Sequence, residues 1–173
     1  MNWEVVGATG EWAGALAVVI TLFYLARQIR SSTNQATAEA ESASHQEFIV
    51  LQGGLAEPTT LSVMRRGFHS FNALSNEDKY FFHMKLGTFI NHFEGVLRRA
   101  EKGLTSASTV QTYGNVLITL VGSPGGREFW AIAGDTFQEL SKDYVNRHID
   151  EGDWAAMEEM FPYFIDKGDS VDA

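Results

Sequence analysis

The chain has 173 residues, 45% of them apolar, with no cysteine and a formal net charge of −9. This length accommodates one membrane helix and one compact domain, and the lack of cysteine excludes disulfides and thiolate metal sites. The acidic charge is concentrated in residues 150–173, which hold eight acids and only Lys167 as a base. The rest of the chain is near neutral, which argues against nucleic acid as a partner.

An apolar segment over residues 5–26 is the first element of the chain, and two arginines follow it. As a helix this segment is roughly 33 Å long, enough for the ~30 Å hydrocarbon layer of a bilayer. Its one charged residue, Glu11, is near enough to the N-terminal end for the carboxylate to reach the headgroups. The segment therefore predicts a transmembrane helix over residues 1–30.

A cleaved signal peptide, or a helix that is buried or lies on a surface, would also explain such a segment. A signal peptide begins with basic residues, whereas this chain begins Met-Asn-Trp-Glu, so an uncleaved anchor is favoured. The basic residues Arg27 and Arg30 follow the segment instead. By the positive-inside rule they place the N-terminus outside the cell and the C-terminal part in the cytoplasm.

The small residues of this segment share one face of the helix, and the bulky residues lie opposite. Gly10 and Gly14 form a G-x-x-x-G step, which lets two helices approach closely in lipid. Glycine is also common in membrane helices generally, so the step alone is weak. We expect a packing face for another copy of the chain or another membrane protein, besides the lipid contact, formed by Gly7, Gly10, Glu11, Gly14, Ala17 and Thr21.

The stretch from Gly7 to Arg30 reads GATGEWAGALAVVITLFYLARQIR. It resembles the opening of an uncharacterised family of small bacterial proteins with one N-terminal membrane helix, written roughly G-A-x-G-E-x-x-G-A-x-A-V-x-x-T-L-x-Y-L-A-x-Q-I-R. The segments 92–94, 102–104 and 123–130 resemble the helical portion of that family. The resemblance implies a location in the bacterial inner (cytoplasmic) membrane and a helical soluble domain, and it brings no catalytic residue.

The sequence predicts helices for the remainder of the chain. Residues 31–54 predict a juxtamembrane helix that continues from the span and stops at the Gly53-Gly54 pair. Residues 55–167 predict a compact α-helical cytoplasmic domain, and residues 168–173 an acidic tail. No run alternates as a strand does, so the fold class is all-α.

Capping signals place the helices of this domain. Pro58 begins one helix, and the capping box Ser75 to Asp78 opens the longest, Asn76 to about Lys102, which Gly103 ends. An apolar stripe along this long helix predicts its core face. Later helices are expected to begin near Ser106 or Ser108, Ser123, Asp135 and Asp153.

Candidate chemistry is sparse. Glu41 and His45 lie one helical turn apart and suit a weak pH-sensitive pair, but a metal site needs at least three ligands. His92 is expected to be a core histidine with satisfied ring nitrogens. Residues 122–127 are interpreted as an interhelix turn rather than an anion site. We predict neither a cofactor nor a metal.

These patterns predict a non-enzymatic single-pass membrane protein that acts as an accessory or scaffold subunit of a membrane complex. One alternative is a homo-oligomeric ion-conducting pore lined by the glycine face and Glu11. A second is a helical sensor of a small apolar ligand.

Overall fold

The computed structural model describes residues 3–55 and 57–160, without the side chains of residues 3–11, 13, 15, 55, 157 and 160. Within these ranges the chain forms α-helices and two short 3₁₀ helices, with no strand. The predicted all-α class is confirmed. The α-helices are α1 (Trp3–Leu55), α2 (Pro58–His69), α3 (Asn76–Glu101), α4 (Ala107–Gly122), α5 (Pro124–Ala133), α6 (Glu139–His148) and α7 (Trp154–Met160).

The chain divides into two compact units, Met1–Glu39 and Ala40–Ala173. The boundary lies within the predicted juxtamembrane helix 31–54. The first unit contains only helix α1 among its described residues, whereas residues 40–55 of α1 belong to the second unit together with α2 to α7.

The predicted helix starts in the second unit depend on side-chain caps. Ser75 Oγ accepts a hydrogen bond from the backbone N–H of Asp78 at 3.1 Å, and Ser123 Oγ accepts from that of Gly126 at 3.0 Å. Asp153 Oδ1 likewise accepts from the N–H of Ala156 at 2.9 Å. These caps satisfy amides that a helix leaves unpaired in its first turn.

The sequence offered two candidates for the N-terminal cap of α4, Ser106 and Ser108, and the structure places the cap at Ser106. Its Oγ accepts from the N–H of Thr109 at 3.2 Å, while Ser108 lies inside the first turn. At the other end of α3, Gly103 has φ +68°, a left-handed conformation that glycine adopts without strain.

Two boundaries differ from expectation. Helix α1 continues through the Gly53-Gly54 pair to Leu55, and neither glycine adopts the left-handed conformation that commonly ends a helix. A 3₁₀ turn, Gly134–Thr136, replaces the expected helix start at Asp135, and α6 begins only at Glu139. Phe137 is extended, and its ring stacks on Trp130 at 5.7 Å between centroids, so packing of this side chain interrupts the helix.

Helix α3 is the centre of the second unit and contacts α2, α4 and α6. Its predicted apolar stripe is confirmed. Four phenylalanines from α2, α3, α5 and the α2–α3 loop pack on one another with ring centroids 5.2–5.8 Å apart: Phe68, Phe71, Phe82 and Phe129. Burial of each such ring contributes about 1.5–3 kcal/mol to folding.

Two glycines allow close helix packing, Gly125 between α5 and α2 and Gly67 between α2 and α3. A Cβ atom at Gly125 would overlap the carbonyl oxygen of Gly67, and a Cβ at Gly67 would overlap the ring of Phe82. The segment 122–127 is thus the interhelix turn predicted from the sequence, with its glycines required by packing.

Candidate functional site

A depression in the second unit lies between residues 43–51 of α1 and residues 88–92 of α3. The two helices run antiparallel here, because Gly54 lies beside Lys85, Phe48 beside Phe89 and Glu47 beside His92. We call this depression the α1–α3 groove. It has a volume of about 660 Å³ and is lined by Ala43, Gln46, Glu47, Val50, Leu51, Thr88, Asn91 and His92.

The polar part of the α1–α3 groove is built around His92. Its side chain is only 6% exposed, and Nδ1 lies 3.3 Å from Glu47 Oε2. Arg99, two turns further along α3, places Nη2 3.6 Å from the same carboxylate oxygen. Glu47 therefore connects the end of α1 to two side chains of α3.

Aromatic rings enclose the imidazole on its other sides. The Phe48 ring lies 5.9 Å from that of His92, and the Tyr113 ring meets it edge-on at 5.5 Å. Burial raises the pKa of Tyr113 above its usual value, with the Arg99 charge acting weakly in the opposite direction. The phenol is therefore neutral at pH 7.

Burial also dominates the electrostatics of His92. It lowers the pKa of the imidazole below 6.5, the Glu47 carboxylate opposes this, and the Arg99 guanidinium lowers the pKa further. The ring is thus neutral at pH 7. Because Glu47 can only accept, the hydrogen-bond network assigns the proton to Nδ1 and leaves Nε2 as an acceptor.

The predicted pair Glu41 and His45 is not joined in the structure: the ion pairs of the described residues do not include it. Glu41 Oε1 instead accepts from the N–H of Ser106 at 3.2 Å and lies 3.5 Å from Thr109 Oγ1, so it supports the start of α4. His45 is exposed and borders a second, smaller groove beside α4.

The predicted membrane packing face falls partly outside the described side chains, namely at Gly7, Gly10 and Glu11. Of its other residues, Thr21 donates its hydroxyl to the carbonyl of Ala17 at 2.8 Å. A Cβ at Gly14 would have open space within 4 Å. The two orienting arginines, Arg27 and Arg30, are exposed in α1.

In the described part of the chain, no helix has a stretch that is both long enough and apolar enough to cross a membrane. The predicted transmembrane helix over residues 1–30 therefore stays a prediction.

Several charged side chains that might suggest chemistry have structural partners. Glu94, 2% exposed, accepts from the N–H of Ser141 at 2.7 Å, and it pairs with Arg98 Nη2 at 2.8 Å with angles outside hydrogen-bond geometry. Arg127 donates to the carbonyls of Gly122 and Ile149 and pairs with Asp150.

Glu128 Oε2 accepts from the N–H of Asn72 at 2.7 Å and so fixes the α2–α3 loop. Within the described part of the chain, His, Asp and Glu side chains nowhere gather in a group of three that suits a metal ion.

Sequence reasoning did not identify Glu47 or the role of its neighbour His92. The usable signal was the apolar run Phe48 to Leu51, which marks where α1 meets the domain. Comparisons with protein-family models, with curated proteins and with solved structures give no match to this chain. The family resemblance of residues 7–30 stays a prediction.

Proposed function

We propose that this chain is a non-enzymatic, single-pass membrane protein whose helical domain acts as an accessory or scaffold subunit of a membrane complex. One observation carries the proposal: large apolar side chains of α1 before Arg27 are exposed around most of the helix circumference. Among them Phe23 is 74% exposed and Ile20 60% exposed.

The distribution of these side chains around α1 distinguishes a membrane segment from a surface helix. At 100° per residue, Leu16, Ile20 and Tyr24 cover one side, Val18, Leu22 and Leu25 a second, and Val19 and Phe23 a third. A helix at a water boundary keeps one polar face, whereas this one is apolar nearly all round. Soluble proteins rarely leave so large a contiguous apolar surface uncovered, so lipid is the covering that fits best.

The remaining arc of the helix suits another helix rather than lipid alone. Gly14, Ala17 and Thr21 occupy this arc, and no contact among the described residues requires a glycine at position 14. Glycine costs a helix about 1 kcal/mol relative to alanine. The hydroxyl of Thr21 is satisfied by its own helix, as apolar surroundings demand. Close packing with a second helix offsets the cost of the glycine.

An accessory role rather than catalysis is supported by the domain's charged side chains. Glu94, Arg127 and Glu128 each support a helix end or a loop. By the positive-inside rule, Arg27 and Arg30 support a cytoplasmic location for this domain.

Membrane fractionation and cross-linking test the proposal. The full-length protein should remain in the membrane pellet after alkaline carbonate extraction. Cross-linking in native membranes should trap it with a copy of itself or with another membrane protein. Gly14→Leu should reduce the cross-linked product because the added side chain separates the helices, whereas the control Leu16→Ile should not. Extraction into the carbonate supernatant, or recovery only as an uncross-linked monomer, contradicts the proposal.

A further inference from the structure

Within the described residues, buried nitrogens of His92, which lines the α1–α3 groove, and of its neighbour Arg99 lack hydrogen-bond partners, although Arg99 Nη2 keeps its ion pair with Glu47. Among the described residues, none is within hydrogen-bonding geometry of His92 Nε2, Arg99 Nε or Arg99 Nη2. Proteins leave few buried polar side-chain atoms in this state, and each indicates a group that the described chain does not supply.

The hydrogen bonding of His92 defines what Nε2 requires. Because Nδ1 donates to Glu47, Nε2 presents a lone pair and needs a donor. A metal ion also binds such a lone pair, but the described residues offer no group of three ligands around one. A ligand with a hydroxyl or similar donor meets the requirement.

The charges at the groove favour a neutral ligand. Glu47 and Arg99 lie 3.6 Å apart and compensate each other. A carboxylate ligand would meet the exposed charge of Glu47, and an ammonium ligand would gain little from Glu47 because Arg99 already compensates its charge. The walls are largely apolar along Ala43, Val50 and Leu51, and the volume of about 660 Å³ is that of a typical small-molecule site.

We propose that the α1–α3 groove binds a small neutral amphiphile, whose hydroxyl donates to His92 Nε2 and whose apolar body lies along Ala43, Val50 and Leu51. The inference goes beyond the scaffold role and does not depend on membrane anchorage. Because Nε2 itself is closed to solvent, a ligand must displace side chains at the rim of the groove to reach it.

Nuclear magnetic resonance of the full-length protein, with ¹⁵N-labelled histidine and in mild detergent, tests this inference with three matched probes. 1-Octanol should bind saturably and shift the Nε2 resonance of His92. Octyl methyl ether, which lacks the donor, should bind about five- to tenfold more weakly, since one hydrogen bond is lost. Octanoate should also bind more weakly than the alcohol because of Glu47. Equal binding of alcohol and ether, or no saturable shift at His92, overturns the proposal.

Two variants locate the effect. His92→Phe should abolish the preference for the alcohol over the ether, whereas His45→Phe, which borders the other groove, should leave it unchanged. A preference that survives in His92→Phe contradicts the assignment. If that variant does not fold, the probe series on the unchanged protein decides the question.

Discussion

Residues 16–25 of α1 and residues 82–96 of α3 are both rich in large apolar side chains, but the described part of the chain covers only those of α3. Phe82 is 0% exposed, and Leu86 and Val96 are equally enclosed, whereas the side chains of residues 16–25 are all exposed. The stripe of α3 recurs every three or four residues and meets other helices. The apolar residues of α1 continue around the helix, so one domain face cannot cover them.

The difference shows that an apolar helix is not always buried by other parts of its own chain. In α3 apolar side chains stabilise the domain, and their removal must cost folding free energy. In residues 16–25 the same kinds of side chain are exposed, so their removal should have little effect on the folding of the domain. Under the proposed function, their removal should instead weaken the association of the chain with lipid or another helix.

A matched pair of phenylalanines gives the largest expected effect. Phe82→Ala removes a fully buried ring that contacts Phe68, Phe71 and Phe129, and should lower the free energy of unfolding by about 3–5 kcal/mol. Phe23→Ala should change it by less than about 0.5 kcal/mol, because that ring is exposed. Urea denaturation of the full-length protein in mild detergent measures both. Equal losses would break the comparison between the two regions.

Two glycine substitutions should differ in sign. Gly67→Ala places a methyl group against the Phe82 ring and should destabilise the domain by about 1–3 kcal/mol. Gly53→Ala meets open space inside α1 and should stabilise the helix by about 0.5–1 kcal/mol. Thermal unfolding followed by circular dichroism compares the two. A stabilising Gly67→Ala would contradict the close packing of α2 on α3.

The assignment of the α4 cap is tested by two serines. Ser106→Ala removes the acceptor for the N–H of Thr109 and should cost about 1 kcal/mol. Ser108→Ala keeps that cap and should cost no more than a few tenths of a kcal/mol. The two midpoints of urea denaturation give the answer, and a larger loss for Ser108→Ala would refute the assignment.

The smallest effect concerns the pH dependence of stability. The lowered pKa of His92 means that the unfolded chain takes up this proton at a higher pH than the folded chain. Stability should therefore be complete above about pH 6.5 and fall as the pH decreases toward the folded-state pKa. The charged groups that face this ring are Glu47 on α1 and Arg99 on α3, with the neutral Tyr113 on α4.

His92→Gln removes this titration, so its stability should vary less between about pH 7 and pH 5. His69→Gln, at an exposed position, is the control and should keep the slope of the unchanged protein. Denaturation curves at several pH values provide the comparison. An unchanged slope in His92→Gln would show that burial does not control this ring.

The sequence predicted those parts of the fold that depend on local signals. Caps at Ser75, Ser123 and Asp153 involve atoms only three residues apart, and the stripe of α3 follows from helix periodicity. The start of α6 was missed because Phe137 leaves the helix to stack on Trp130, a tertiary contact. The helix propensities of individual residues do not predict such a contact.

The candidate site was predicted poorly for the same reason. His92 was correctly expected to be buried, but the expectation that both ring nitrogens are satisfied was wrong, since Nε2 has no hydrogen-bond partner among the described residues. Its partner Glu47 lies on a different helix, and no spacing rule connects them. Glu41 and His45 have the spacing of a pair, yet the start of α4 takes up Glu41 instead. Tertiary packing decides which polar groups meet.

Site-directed spin labelling at position 20 tests the membrane proposal most directly. The chain has no cysteine, so Ile20→Cys gives a single labelling site, and Asn34→Cys beyond the arginines is the control. In reconstituted vesicles, a label at position 20 should collide more with oxygen than with a water-soluble nickel chelate, and a label at position 34 should show the reverse. Equal access of the chelate to both labels, or failure of the protein to associate with vesicles, would contradict the account.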